Sequence, residues 1–273
     1  MALDLLNPKT ALDLGNIRYT LIRLEDTIVF NLIERAQFPL NKSIYTPGAV
    51  PLPGFDGSFL HWLLTEVERT HGIKNVKPLL IIIAKIRRYQ SPDEFPFTSD
   101  LPSPIIPPLQ YPPLLHPNSV NVNSQIYSSY INDILPRITQ NLPDKGESAE
   151  NYGSTAVRDV ECLQSLSRRI HFGKFVAEVK FRSEQDKMTE LIKNKDTKGL
   201  EDAITNAAVE RQVLQRLATK ARTYGRDPSA GAEALKSNEA DKVDVDAVVA
   251  IYEDLVIPLT KQVEVEYLLA RLD

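Results

Sequence analysis

Little in this chain could build a redox, metal or phosphate site. Among 273 residues the one cysteine is Cys162, which excludes an internal disulfide framework and any multi-cysteine metal centre. Four histidines (His61, His71, His116, His171) show no ligand spacing, so no metal is expected. Glycine is sparse, at 11, and neither G-x-G-x-x-G nor G-x-x-x-x-G-K-[ST] occurs, so neither a dinucleotide fold nor a P-loop is supported. Thirty-two Lys and Arg against 36 Asp and Glu leave a net charge of −4, with no basic excess to neutralise nucleic-acid phosphates. The longest apolar run, Leu79 to Ala84, falls far short of the roughly 20 residues that span a bilayer. The N-terminal stretch carries Asp4 and Asp13 and no cationic, apolar leader, so a cytoplasmic location is expected.

What is present is helix and proline. Nine of the 19 prolines fall between Pro92 and Pro117, where they block helix; composition leaves open an ordered extended connection or a loose linker. From Gly15 to Gln37, Ile17, Leu21, Leu24, Ile28 and Leu32 recur at steps of three and four. Asp56 to His71 repeats the pattern through Phe59, Leu60, Leu63 and Val67, with Trp62 expected in the core. Ser154 to Arg182 predicts one helix of about 43 Å, followed by an N-cap at Ser183 with Asp186 three residues on. Asn206 to Tyr224 reads as a helix stopped by Gly225, and Asp244 as the N-cap of a last helix that Pro258 kinks. Strand patterns are essentially missing. The expectation is an all-α bundle of long helices, one domain over residues 1–273, dimeric to cover their length.

Spacing selects a few of the many charged residues. Arg169 and Lys180, eleven apart on one straight helix, would point the same way about 16 Å apart. Asn206 with Glu210, and Thr260 with Glu264, are i,i+4 pairs. Such a set would suit a small dianion with an ether or hydroxyl oxygen between its carboxylates, although such pairs also arise on any polar helix. Cys162 reads as a small buried hydrophobe, and His171 as a packing residue.

The segment GSTAVRDVECLQSLSRRIHFGKFVAEVKF (153–181) strongly resembles the regulated, all-helical chorismate mutases of fungi and plants. So do NIRYTLIRLEDTIVFNLIERAQF (16–38), IRRYQSPDEFPF (86–97), ITNAAVE (204–210) and VIPLTKQVEVEYLLARL (256–272), in order along nearly the whole chain, with the fungal branch fitting best. The resemblance implies a catalytic set of Arg18, Arg169, Lys180, Asn206, Glu210, Thr260 and Glu264, none of them substituted. It implies chorismate as substrate and a unimolecular Claisen rearrangement to prephenate, which calls for no cofactor. Arg18 and Arg169 would clamp the carboxylates. Lys180 and a protonated Glu264 would meet the ether oxygen, while Asn206, Glu210 and Thr260 would position the hydroxyl, a carboxylate and Lys180.

The same resemblance implies a homodimer with tyrosine as inhibitor and tryptophan as activator, held by Arg87, Arg88, Asn151, Gly153 and Ser154. Val157 and Asp244 stand where the fungal pattern carries threonine. Residues 72–83, GIKNVKPLLIII, are extra to that pattern, and read either as a surface elaboration or as a translated short intron. A catalytically silent interaction protein, or an amino-acid sensor, on the same fold would have lost Arg18, Arg169, Lys180 or Glu264.

Overall fold

The computed structural model describes residues 3–70, 88–104, 106–140, 146–224 and 242–272. The extra segment 72–83, Arg87 and Gly225 lie outside them. No strand occurs among the described residues; the chain is all-α.

After a short turn of helix at Pro8–Ala11, helix α1 runs Leu14–Arg35. It starts where Asp13 accepts a hydrogen bond from the Asn16 amide at 2.9 Å, satisfying one donor that a helix start leaves open. Helix α2 spans Phe59–Thr70, and α3 (Asn123–Ser129) and α4 (Leu135–Thr139) follow the proline stretch. The expected single helix is two: α5 (Tyr152–His171) and α6 (Gly173–Ser183), separated at Phe172. There the hydrogen bonding tightens, the Phe175 amide reaching back three residues to the Phe172 carbonyl at 3.1 Å.

Helices α7 (Gln185–Lys193), α8 (Thr197–Ile204) and α9 (Ala207–Thr223) complete the middle. Ser183 is not the expected N-cap: its hydroxyl donates to the Lys180 carbonyl at 2.9 Å, closing α6 instead of opening α7. Asp244 does cap α10 (Val245–Ile251), accepting from the Ala247 amide at 3.0 Å. A π-helical turn, Tyr252–Val256, then leads into α11 (Ile257–Leu269), with Pro258 in its first turn where the lost donor is least needed. The same arrangement occurs before Pro136, where a π turn at Tyr130–Ile134 precedes α4.

The main core joins Leu32 of α1, Leu60 of α2, Ile126 of α3, Leu163 and Leu166 of α5, Leu217 of α9 and Val263 of α11. Trp62 is not part of it; half-buried, it stacks on Phe59 with ring centres 5.9 Å apart. Cys162 is buried there, its thiol pushed up to about 12 by burial. A second cluster joins Phe181 of α6 to Met188, Leu200 and Tyr267, and a third joins Ile17 and Leu24 to Phe172 and Phe175. α1 and α11 thus each serve two clusters, which keeps α5 and α6 fixed between them.

In its described residues, 92–104 and 106–117, the proline stretch is irregular apart from turns and is tied to the helices. Buried Glu68 accepts from the amides of Phe97 and Thr98, at 3.0 and 2.7 Å, and His116 donates from its amide to the Tyr267 hydroxyl at 2.9 Å. Side-chain and helix partners take over the pairing that proline denies the backbone.

Buried carboxylates help lock the helices together. Asp159 of α5 accepts from Arg35 Nε at 2.5 Å, from Tyr45 at 2.8 Å and from Tyr130 at 2.7 Å. Glu178 of α6 accepts from Arg182, Tyr267 and Arg271, at 2.6, 2.5 and 2.8 Å. The second ties α6 to α11.

Candidate active site

The site forms where the α5–α6 junction meets α11. A Cβ placed on Gly173 would lie 3.0 Å from both Thr260 Cγ2 and Glu264 Cγ, so the absence of a side chain is what lets α11 approach so closely. Arg169, one turn earlier, enters the same space. It is 7% exposed, its Nη1 stands 3.5 Å from Thr260 Oγ1, and its Nε has no partner among the described residues. A buried guanidinium with unsatisfied donors is costly unless an anion completes it. The Tyr252 hydroxyl nearby is also buried, without a partner among the described residues, and burial holds its phenol well above the usual range.

Glu264 is buried, and burial pushes its carboxyl up to about 8; Arg169 and Lys261 pull it back down, and Glu210 pushes it up. The carboxyl is therefore a neutral hydrogen-bond donor at neutral pH. Thr260 donates to the Val256 carbonyl at 2.6 Å, which fixes its rotamer. Glu210, in the first turn of α9, pairs with Lys261 at 2.8 Å. Asn206 is the N-cap of that helix, its Oδ1 accepting from the amides of Ala208 and Val209 at 3.1 and 3.2 Å. The i,i+4 geometry expected for Asn206 and Glu210 is thus a cap and its first turn.

Of the sequence-selected residues, Arg169, Thr260, Glu264 and Glu210 converge. Lys180 lies further along α6, beyond the break at Phe172, and is paired with Glu184. Only Phe172 interrupts the helical run between Arg169 and Lys180, and it keeps right-handed helical dihedrals and its bond to the Arg168 carbonyl at 3.0 Å. Arg18 is exposed on α1, next to Ile17 at the α1–α6 seam, and no hydrogen bond or ion pair joins it to the others among the described residues.

His171 faces away from the site, its Nε2 accepting from the Val122 amide at 3.0 Å; burial pulls it to about 4, so it is neutral. Beside it the buried Lys174 donates to the Val120 carbonyl at 2.5 Å, with its ammonium 4.0 Å from the Phe95 ring centre. Three contributors escaped the sequence reading. Gly173 was visible as the lone glycine inside a helical run, and Lys261 as the neighbour of Thr260. Tyr252 gave no signal.

The residues expected to hold effectors are apart within one chain. Arg88 bonds to Glu94 at 3.1 Å and to Gln164 at 2.8 Å. Gly153 and Ser154 occupy the exposed first turn of α5, about 15 Å up the helix from Gln164. Asn151 precedes that turn and donates to Ser148 Oγ at 3.0 Å. Among the described residues no His/Cys/Asp/Glu group could hold a metal ion, and no helix is long and apolar enough to cross a membrane.

The profile of the family described as chorismate mutase type II matches residues 151–265. A chorismate mutase from Emericella nidulans is 54% identical over 275 aligned residues, spanning 99% of this chain and 97% of its own. Among solved structures, the chorismate mutase of Candida albicans in complex with L-Trp superposes with a TM-score of 0.88 at 45% identity, covering 99% of this chain and 96% of that one. The structure of AtCM1 with tyrosine bound in its allosteric site gives 0.80 at 42% identity, covering 96% and 98%.

Proposed function

The chain belongs to the chorismate mutase family, and from that premise we propose how its residues carry out the rearrangement. The enzyme converts chorismate to prephenate, a unimolecular reaction in which a C–O bond breaks as a C–C bond forms. Catalysis then consists of holding the reactive conformer and stabilising charge that grows on the ether oxygen. Arg169 takes one substrate carboxylate; its buried Nε, with no partner among the described residues, is the observation that carries this reading. Arg18 takes the other from the seam of α1. Glu264, protonated, donates a hydrogen bond to the ether oxygen and keeps its proton, and Lys180 supplies the positive charge beside it on release from Glu184. Asn206, Glu210 and Thr260 orient the hydroxyl side of the substrate.

The test is the loss of chorismate ultraviolet absorbance with appearance of prephenate, run on the wild type and on Arg169→Ala. Losing a donor aimed at developing or bound charge typically lowers turnover by about 10²–10³. Near-normal turnover in the variant would remove Arg169 from the clamp.

Regulation follows the same logic. Arg87, Arg88, Asn151, Gly153 and Ser154 bind the amino-acid effectors tyrosine and tryptophan, as the ligands of the two solved relatives suggest. Because Arg88 and the start of α5 stand apart in one chain, a second copy completes that site. Exposed Tyr19 and Phe30 on α1 and Val157 on α5 supply an apolar face for such a homodimer. The sharing of α1 and α11 among the three apolar clusters supports reading residues 1–273 as one domain.

A further inference from the structure

Lys261 is absent from the set that the rearrangement requires, yet it sits inside it. It follows Thr260 directly and precedes Glu264 by three residues on α11, so its stem lies on the flank of both. Its ammonium does not pair along its own helix. It reaches across to Glu210 of α9 at 2.8 Å, with both side chains about a quarter exposed, at 23% and 30%. An exposed pair of this kind adds little to stability. Its position gives it another consequence.

Three charged groups act on the Glu264 carboxyl, one from each charged neighbour of the site. Arg169 comes from α5, Lys261 from its own helix, and Glu210 from α9. From α6 the packing partner is Gly173, which brings no charge, and the cation of that helix assigned to the reaction, Lys180, is held by Glu184. Two cations therefore oppose one anion and the cost of burial. Lys261 acts twice: it is one of the cations, and it neutralises the anion.

We propose that Lys261 is a positioning residue for the rearrangement, holding and neutralising Glu210 so that the pair sets the alkaline limit at which Glu264 keeps its proton. The inference rests on the reading of Glu264 as a neutral donor.

The two members of the pair then have opposite effects. Lys261→Met removes a cation and uncovers the Glu210 charge; both changes favour the neutral carboxyl, so the alkaline limb moves up, by about half a pH unit or more. Glu210→Gln removes the anion and uncovers the Lys261 charge, so the limb moves down by a similar amount. Lys261→Arg keeps the charge and should keep the wild-type limb. An ion pair that merely held α9 to α11 would lower activity in both variants without opposed shifts.

The experiment records the pH dependence of kcat and kcat/KM for the wild type, these three variants and Glu264→Gln. Where a variant turns over too slowly, the Glu264 carboxyl is titrated directly by 13C NMR. Opposed shifts, restoration by arginine and a flat profile in Glu264→Gln are expected. A flat Glu264→Gln profile with the other limbs unmoved, or moved together, overturns the role of Lys261. A limb that persists in Glu264→Gln overturns the neutral-donor reading, and the inference with it.

Discussion

Replacing Glu264 by glutamine should stabilise the fold, and by an amount that grows with pH. The carboxyl has its ordinary value of 4.5 in the unfolded chain and about 8 in the folded one. Below the lower value both states carry the proton and nothing is lost. As pH rises between the two values, the unfolded chain releases its proton while the native protein retains it. Stability is therefore lost at about 1.4 kcal/mol per pH unit, and the loss is complete only above the folded value.

Glutamine does not titrate, so the variant escapes that loss. Between pH 5 and 7 the difference in unfolding free energy between variant and wild type should widen by about 2–3 kcal/mol in favour of the variant. Comparing one difference at several pH values cancels the cost of burying the neutral side chain, which either residue incurs. Urea unfolding of both proteins at pH 5, 6 and 7, at one protein concentration and with m compared, reads this directly. A difference that stays constant across that range would refute the buried, protonated Glu264.

Three further outcomes follow from the same geometry. Gly173→Ala should lower kcat at least tenfold with helix content unchanged by circular dichroism, because the new methyl meets Thr260 and Glu264 at 3.0 Å. Asp159→Ala should cost about 3–5 kcal/mol in denaturant unfolding, since it leaves the fully buried Arg35 without its carboxylate. Deleting residues 72–83 should leave the basal rate within about a few-fold while strengthening the responses to tyrosine and tryptophan in effector titrations, since an ordering cost ahead of Arg88 is removed.

The helices were legible because burial imposes a period of three to four on α1, α2, α5 and the end of the chain. The caps at Asp13 and Asp244 follow from local chemistry alone, whereas Ser183 shows the limit of that chemistry: its hydroxyl had a preceding carbonyl to bond as well as a following amide. The one-residue interruption at Phe172 was not legible, because the helical pattern continues through it and Phe172 itself keeps right-handed helical dihedrals. The convergence of Arg169 with Thr260 and Glu264 depends on the close approach of α11 to Gly173. Spacing singled these residues out, and resemblance assigned them to one site. Lys261 went unnoticed because a lysine on a polar helix flank looks like any other until its partner on α9 is known.

The π turn at Tyr252–Val256 also sets an angular phase. Each residue of an α-helix advances the side-chain direction by about 100°, and a π turn inserts one residue into that count. Everything C-terminal to it, including Thr260, Lys261, Glu264 and Tyr267, is rotated accordingly relative to α10. Removing a single residue from this turn would leave the composition and apolar content of the helix almost untouched. It would swing Thr260 and Glu264 about a quarter-turn from Arg169, and carry Tyr267 away from Glu178. The turn acts as the indexing notch of the last helix, and a one-residue deletion there should be far more damaging than most substitutions within it.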